Sequence, residues 1–305
     1  MCMACNKCID LMFGDQRVRC TVNPAAGRER AMALKPAEKK KSVMVVGGGL
    51  AGMEAARISA LRGHDVSLYE KESELGGAVR WASKGRYREE WWEAARYRIH
   101  AVTAAGVDVH LGQEVTLADV KAAKPDVTIL ATGTKPFLPP YVPGIDKPLV
   151  TDYAAVLLGE KEIGKNAVVI GGQNIGLTTA EFLSEHDCKC TIIDDSDALG
   201  ADLGGIKQMV VLPVVADDGN ISVRLNSNVE RIGDDWVEVQ SKGQIETLEG
   251  IDMVVFAWGR EMVRQLADDI AADGTLPDFR VIGDAEWPRE PIDIIYEGAL
   301  TGRQI

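Results

Sequence analysis

The stretch SVMVVGGGLAG, residues 42–52, decides the fold. Val43, Met44, Val45 and Val46 form a continuous apolar run, the pattern of a strand covered on both faces of a parallel sheet. Gly47, Gly49 and Gly52 then space out GxGxxG. A helix is expected over Leu50–Leu61, with Met53 and Ile58 on its apolar side and Gly63 at its end. The first glycine permits a tight turn, the second lets the backbone approach a pyrophosphate, and the third lets helix and strand pack closely. The helix N-terminus offers unpaired N–H groups and the positive end of a dipole to phosphates. A second strand, Asp65–Tyr69, ends on Glu70, about 20 residues on, where a carboxylate holds a ribose hydroxyl. GxGxxG alone also describes a structural turn that binds nothing. Strand, glycines, helix, strand and acid in that order point to a dinucleotide.

The chain has 305 residues, enough for two domains of ordinary size. Its net charge of −12 argues against general affinity for nucleic acid or acidic membranes. No apolar run is long enough to span a bilayer and no signal peptide opens the chain, so a cytoplasmic location is the default expectation. Four of the six cysteines fall within the first twenty residues. Such clustering without a secretion signal favours metal over disulfides.

Cys2, Cys5 and Cys8 form CxxCxxC, and Cys20 follows after eleven residues. Three thiols this close cannot supply the two separated knuckles of a zinc ribbon. A triplet with one distant cysteine is a common way to wrap a [4Fe–4S] cluster, which is favoured here over zinc or over unconnected thiols. Residues 24–41 read as a connector ending in Lys39, Lys40 and Lys41, a solvated linker rather than a binding patch.

After Glu70, the loop at Leu75, Gly76 and Gly77 is expected to pass close to a cofactor. A helix is expected over Glu89–Ala104, with Trp91 and Trp92 as core packing and His100 on the surface. Val107–Leu111 reads as a short strand. DVTILATG, residues 126–133, is a buried strand ending in a small-residue turn, and five prolines between 136 and 148 break regular structure. The βαβ logic then repeats: strand Ala167–Ile170, the turn through Gly171, Gln173, Asn174, Ile175 and Gly176, a helix through Phe182 and Leu183, and strand Cys190–Ile193 ending on Asp194. Gln173 stands where the middle glycine belongs, and its Cβ crowds a pyrophosphate. The alternative is a domain that has kept the fold and lost the ligand. Cys188 and Cys190 read as buried thiols.

Further on, residues 208–215 are strongly apolar. Four short strands, Ile221–Leu225, Val229–Ile232, Trp236–Gln240 and Ile245–Leu248, suggest a small antiparallel flap. DMVVFAWG, residues 252–259, repeats DVTILATG with Trp258 for threonine. FRVIGD ends a strand on Asp284, and a short helix is expected from Glu297. The expected class is α/β with two Rossmann-like dinucleotide-binding domains. Residues 1–41 form the cluster segment and linker, 42–150 with 250–305 the first nucleotide domain, and 151–249 the second.

GxGxxG with Glu70, the ATG of Ala131, Thr132 and Gly133, and the GD of Gly283 and Asp284 together resemble the two-dinucleotide flavoprotein fold of the disulfide reductases. With the N-terminal cysteines, the chain is similar to the C-terminal portions of the trimethylamine dehydrogenase and 2,4-dienoyl-CoA reductase family, relatives of old yellow enzyme. The CxxCNxC spacing sits nearer the amine dehydrogenases. The resemblance implies that Cys2, Cys5, Cys8 and Cys20 ligate the cluster. It implies that Gly47, Gly49, Gly52, Glu70, Gly77, Ala131, Thr132, Gly133 and Asp284 hold FAD or ADP. Gly171, Asn174, Ile175, Gly176 and Asp194 would face NAD(H), with Asp194 preferring it to NADP(H).

Family members carry an FMN-binding barrel before the first cysteine, and this chain starts at Met1. A split subunit served by a separate FMN-barrel partner, or a fragment, is therefore expected. The resemblance implies an electron-transfer subunit linking NAD(H), FAD and the cluster to that partner, or passing electrons out to a carrier, with no catalytic acid, base or nucleophile of its own. A structural subunit without NADH activity is the alternative. A self-sufficient disulfide reductase is disfavoured, because the only CxxC steps lie in the cluster run.

Overall fold

The computed structural model describes residues 2–276 and 278–305; Met1 and Pro277 lie outside that description. The chain divides into two compact units. Unit 1 comprises Met1–Ser83, Glu90–Lys135 and Met262–Ile305; unit 2 comprises Lys84–Glu89 and Pro136–Glu261.

Unit 1 begins with α1 (Lys7–Phe13) in the cysteine segment. It continues through β1 (Ser42–Val46), α2 (Leu50–Leu61), β2 (Asp65–Tyr69), α3 (Val79–Ala82), α4 (Trp92–Ala104), β3 (Asp108–His110), α5 (Leu117–Ala123) and β4 (Val127–Leu130). The chain leaves through β5 (Thr134–Pro136). Unit 2 holds β6 (Val150–Asp152), α6 (Tyr153–Leu157), β7 (Asn166–Ile170), α7 (Asn174–Glu185), β8 (Lys189–Ile193), α8 (Gly205–Asp217), β9 (Ile221–Arg224), β10 (Ser227–Ile232), β11 (Trp236–Ser241), β12 (Gln244–Glu249) and β13 (Met253–Phe256). The return runs through β14 (Arg260–Met262), and unit 1 closes with α9 (Gln265–Asp273), β15 (Phe279–Val281) and α10 (Pro291–Gln304).

The sheet of unit 1 has the order β15-β4-β1-β2-β3, with every pairing parallel. Its central strand explains the opening apolar run. Val43 and Val45 face a core layer with Met53, Ala95, Val102 and Ile295. Met44 and Val46 face the other layer, with Val120 and Ile270. Helices cover both faces, so none of Val43, Met44, Val45 and Val46 has a solvent side to be polar on, and only Ser42 at the strand's start is exposed. Helix α10 is longer than the short helix expected from Glu297. Pro291 opens it at a position where a missing N–H costs nothing. Gly298 lets α10 lie directly on α2: a Cβ there would stand 2.4 Å from Ala51 O.

The sheet of unit 2 has the order β6-β13-β7-β8-β9, again parallel throughout. Residues 136–150 and 250–261 belong here rather than with unit 1 as the sequence suggested, because β13 hydrogen-bonds between β6 and β7 and carries its flanks with it. The flap has three strands, β10-β11-β12. The fourth expected strand, β9, pairs in parallel with β8, from Cys190↔Ile221 to Ile193↔Arg224. The intervening apolar run is helical, as α8, and supplies the crossover that a parallel neighbour requires. Among the described residues, no helix is long and apolar enough to cross a membrane.

Candidate functional site

Nine of the predicted site residues converge on the N-terminus of α2. Gly47 turns with φ +107°, and a Cβ on it would stand 2.2 Å from Ala131 O. A Cβ on Gly52 would stand 1.9 Å from Gly47 O, so both positions are closed to side chains. Gly49 differs: a Cβ there meets nothing within 4 Å. Its backbone (φ −74°, ψ −177°) suits any residue, and no side chain caps the helix behind it. The space in front of α2 is thus open, and its first N–H groups face it.

Glu70, 8% exposed, accepts the Gly48 N–H through Oε2 at 2.7 Å and the Glu72 N–H through Oε1 at 2.9 Å. A carboxylate has about four lone-pair sites, so acceptor capacity for ribose hydroxyls remains. Gly77 comes down onto the turn, where its Cβ would stand 2.9 Å from Gly49 Cα. Thr132 Oγ1 donates to Val263 O at 2.6 Å and Gly133 O accepts the Val263 N–H, which ties the ATG turn to the segment before α9. Asp284 is buried, accepts the Arg289 N–H at 2.8 Å, and follows Gly283, whose Cβ would stand 2.9 Å from Ala51 Cβ in the first turn of α2. These residues fit a dinucleotide laid across the C-terminal edge of the sheet.

Gly171, Asn174, Ile175, Gly176 and Asp194 gather in the same way at the start of α7. Gly171 has φ +114°, and a Cβ on Gly176 would stand 1.7 Å from Gly171 O. Asp194 accepts from the Gly172 N–H and, through Oδ1 at 2.9 Å, from the Ser196 N–H. The start of α7, unlike that of α2, is met by side chains of the protein itself. Asp202 Oδ1 accepts the Asn174 N–H at 2.8 Å, and the Asp202 N–H donates to Gln173 Oε1 at 3.3 Å. The residues here do not fit a dinucleotide without rearrangement. Sequence reasoning had caught Gln173 and missed Asp202.

Beside this turn, Arg88 Nη2 donates to Asn174 Oδ1 at 2.9 Å, and Glu181 on α7 is 4% exposed. Burial pushes the Glu181 carboxyl up to about 7, against the pull of the Arg88 guanidinium. The native state therefore holds this proton over a range where the unfolded chain has released it. Stability attributable to Glu181 is full below the ordinary glutamate pKa and falls as pH rises toward 7. Glu181→Gln is expected to flatten that decline and stabilise the protein at pH 8 by about 1–3 kcal/mol. Urea midpoints at pH 5 and pH 8 measure it, and an unchanged decline in the variant would rule it out.

The cysteine segment packs on unit 1. Met3 is 1% exposed in the core cluster, with Cys5 and Val22 against it. Arg98, fully buried on α4, donates to Val22 O at 3.0 Å and to Ala94 O at 3.0 Å, and its Nε lies 3.3 Å from Glu54 Oε2. Cys2 and Cys8 are exposed, Cys5 and Cys20 half-buried, and all four are free thiols. Cys5 Sγ lies 3.2 Å from Thr21 Oγ1, so the triplet and the Cys20 neighbourhood are adjacent. Ala4 (φ 50°) and Asn6 (φ 58°) adopt left-handed backbone, and the Ala4 N–H donates to Cys2 Sγ at 3.4 Å. Backbone of this kind turns N–H groups toward anions such as thiolate-bound clusters. Four thiols are the donor type that an iron–sulfur cluster takes. Among the described residues, however, no three His, Cys, Asp or Glu side chains are grouped closely enough to hold a metal. Cys188 and Cys190 are buried, with thiols pushed up to about 11 and about 12 by desolvation, which leaves them unreactive.

Residues 41–276 match the model of the pyridine nucleotide-disulphide oxidoreductases. The chain belongs to this family. Flavin and NAD(P)H are the family's cofactors. Along its whole length the chain is 36% identical to an NADH oxidase of Thermoanaerobacter brockii, of which it covers 47%. Among solved structures it is similar to a 2-naphthoyl-CoA reductase (TM-score 0.93, 34% identity, covering 100% of this chain and 46% of that one). It is also similar to the histamine dehydrogenase of Rhizobium sp. 4-9 (TM-score 0.87, 25% identity, covering 100% and 48%). The chain spans about half the length of these relatives.

Proposed function

We propose that the chain is an electron-transfer unit of an iron–sulfur flavoprotein oxidoreductase, working with an FMN-barrel partner that handles the organic substrate, an amine or an enoate. The observation that carries this is the open cradle of unit 1 with a four-thiol segment docked on the core of the same unit. When bound, FAD supplies the conversion between hydride and single electrons, and a [4Fe–4S] cluster carries one electron at a time. The chain's own residues orient and enclose. Glu70 and Asp284 hold hydroxyls of the flavin nucleotide, the amides at the start of α2 take its phosphates, and Cys2, Cys5, Cys8 and Cys20 supply thiolates. Met3 and Arg98 fix the cysteine segment to the flavin unit. Among relatives, an NADH oxidase and a histamine dehydrogenase are both similar, which supports a shared electron-transfer module and leaves the direction of flow to the partner.

Anaerobically purified chain is expected to contain flavin and about four irons and four sulfides. Cys5→Ser should remove the visible absorbance of the cluster and keep the flavin bands. Zinc without iron in fresh anaerobic protein would overturn the cluster assignment. Oxidation of amines or reduction of enoyl thioesters by the pure chain at enzyme rates would overturn the partner assignment.

A second reading is favoured by one observation, the Gln173 and Asp202 side chains in the cradle of unit 2. In it, the chain carries the cluster and FAD or ADP and has no NADH activity of its own. Bleaching of the flavin by NADH separates the two readings. Asp194, at the end of β8, would favour NADH over NADPH in that assay.

A further inference from the structure

Unit 2 repeats unit 1 position by position through its cradle. β1, α2 and β2 begin at 42, 50 and 65, and β7, α7 and β8 begin at 166, 174 and 189, a constant spacing of 124. The spacing holds into the loop beyond. The Gly76 N–H donates to Gly48 O at 3.0 Å, and the Gly200 N–H to Gly172 O at 2.8 Å. Leu75 stands over Gly48 as Leu199 stands over Gly172. Within this shared frame, Gly49 becomes Gln173 and Ala78 becomes Asp202. The first copy has space in front of its helix; the second has a carboxylate there.

We propose that Asp202 is an internal occupant of the anion position at the start of α7, so that the pyrophosphate of a nicotinamide dinucleotide must displace it and unit 2 binds such nucleotides weakly. The inference rests on reading unit 2 as the nicotinamide-nucleotide unit. A carboxylate there meets the same N–H groups and dipole end that a phosphate would use, and two anions cannot share them. Gln173 Oε1 accepts the Asp202 N–H and holds the loop in that place. Beside the ribose acid Asp194, a pocket of about 90 Å³ remains, lined in part by Gly171, Asp195, Asn228 and Trp258. It is well below the several hundred Å³ of ordinary cofactor sites.

The test titrates the chain as purified with NADH, by calorimetry, in four proteins: wild type, Asp202→Ala, Asp202→Ala with Gln173→Gly, and Asp197→Asn. Asp197 is an exposed acid on the same loop that does not cap α7. Asp202→Ala is expected to tighten NADH binding on the order of 10-fold, and the double variant further. Asp197→Asn should change it by no more than about 2-fold, as screened surface charge does. Hydrogen exchange at the Asn174 amide should accelerate in both Asp202 variants and stay unchanged in Asp197→Asn. No gain in either Asp202 variant, or an equal gain from Asp197→Asn, overturns the inference. Flavin and iron content of the same samples reports separately on the electron-transfer reading, so wild type without flavin would sink that reading and not this one.

Discussion

Replacing Glu54 with leucine is expected to lower the unfolding free energy by about 3–5 kcal/mol, the range for stranding one member of a buried ion pair. Glu54 and Arg98 are both 0% exposed, and Glu54 Oε2 lies 3.3 Å from Arg98 Nε. Arg57 also holds Glu54, through hydrogen bonds of 2.7 and 3.1 Å. It lies nearer solvent, and could follow its charge outward once the carboxylate is gone. Arg98 has no such exit, because α2, α4 and the Val22 strand of chain enclose it. Burial already weakens its hold on its proton. Adding Arg98→Met should recover at least half of the loss, since an apolar pair of similar volume costs little where a lone charge costs much. Urea midpoints at constant slope measure both. A loss of about 1 kcal/mol or less in the single variant, or no recovery in the double, would show that the pair is not what holds the cysteine segment.

Gly49→Gln is the second large effect. It places in unit 1 the residue that unit 2 carries at the matching position. The free chain should tolerate it: the Gly49 backbone is extended, and its Cβ would meet nothing within 4 Å. Stability should therefore change by about 0.5 kcal/mol or less. FAD affinity should fall by about 10- to 100-fold, the equivalent of about 1–3 kcal/mol of overpacking against a pyrophosphate. Flavin retained per chain after dialysis, set beside the thermal midpoint of the flavin-free protein, separates the two effects. Full flavin retention would mean that the phosphates do not lie at the start of α2. A fall in apo stability matching the loss of flavin would mean that Gly49 is structural.

The sequence by itself determined the two βαβ units, their order, and the glycine turns. These rest on short-range rules: apolar runs for strands covered on both faces, and glycine where a Cβ would strike the backbone a few residues away, as Gly52 would strike Gly47 O. The spacing of the four N-terminal cysteines is a short-range pattern too, but among the described residues no three possible metal ligands come together. Tertiary structure decided what depends on distant partners. β9 reads as one more flap strand until β8 supplies a parallel edge for it. Residues 252–259 look like a second copy of the ATG strand, and β13 lies in the sheet of unit 2, because β6 and β7 flank it. Arg98 shares the buried face of α4 with Ala94, Ala95 and Val102, and only the meeting with Glu54 and Val22 O explains a guanidinium there. Asp202 lies 28 residues from the amide it caps. Nothing in its own neighbourhood marks it, since a carboxylate in a polar loop is ordinary. Its meaning comes from where the loop folds back, onto a helix N-terminus that the first copy leaves open.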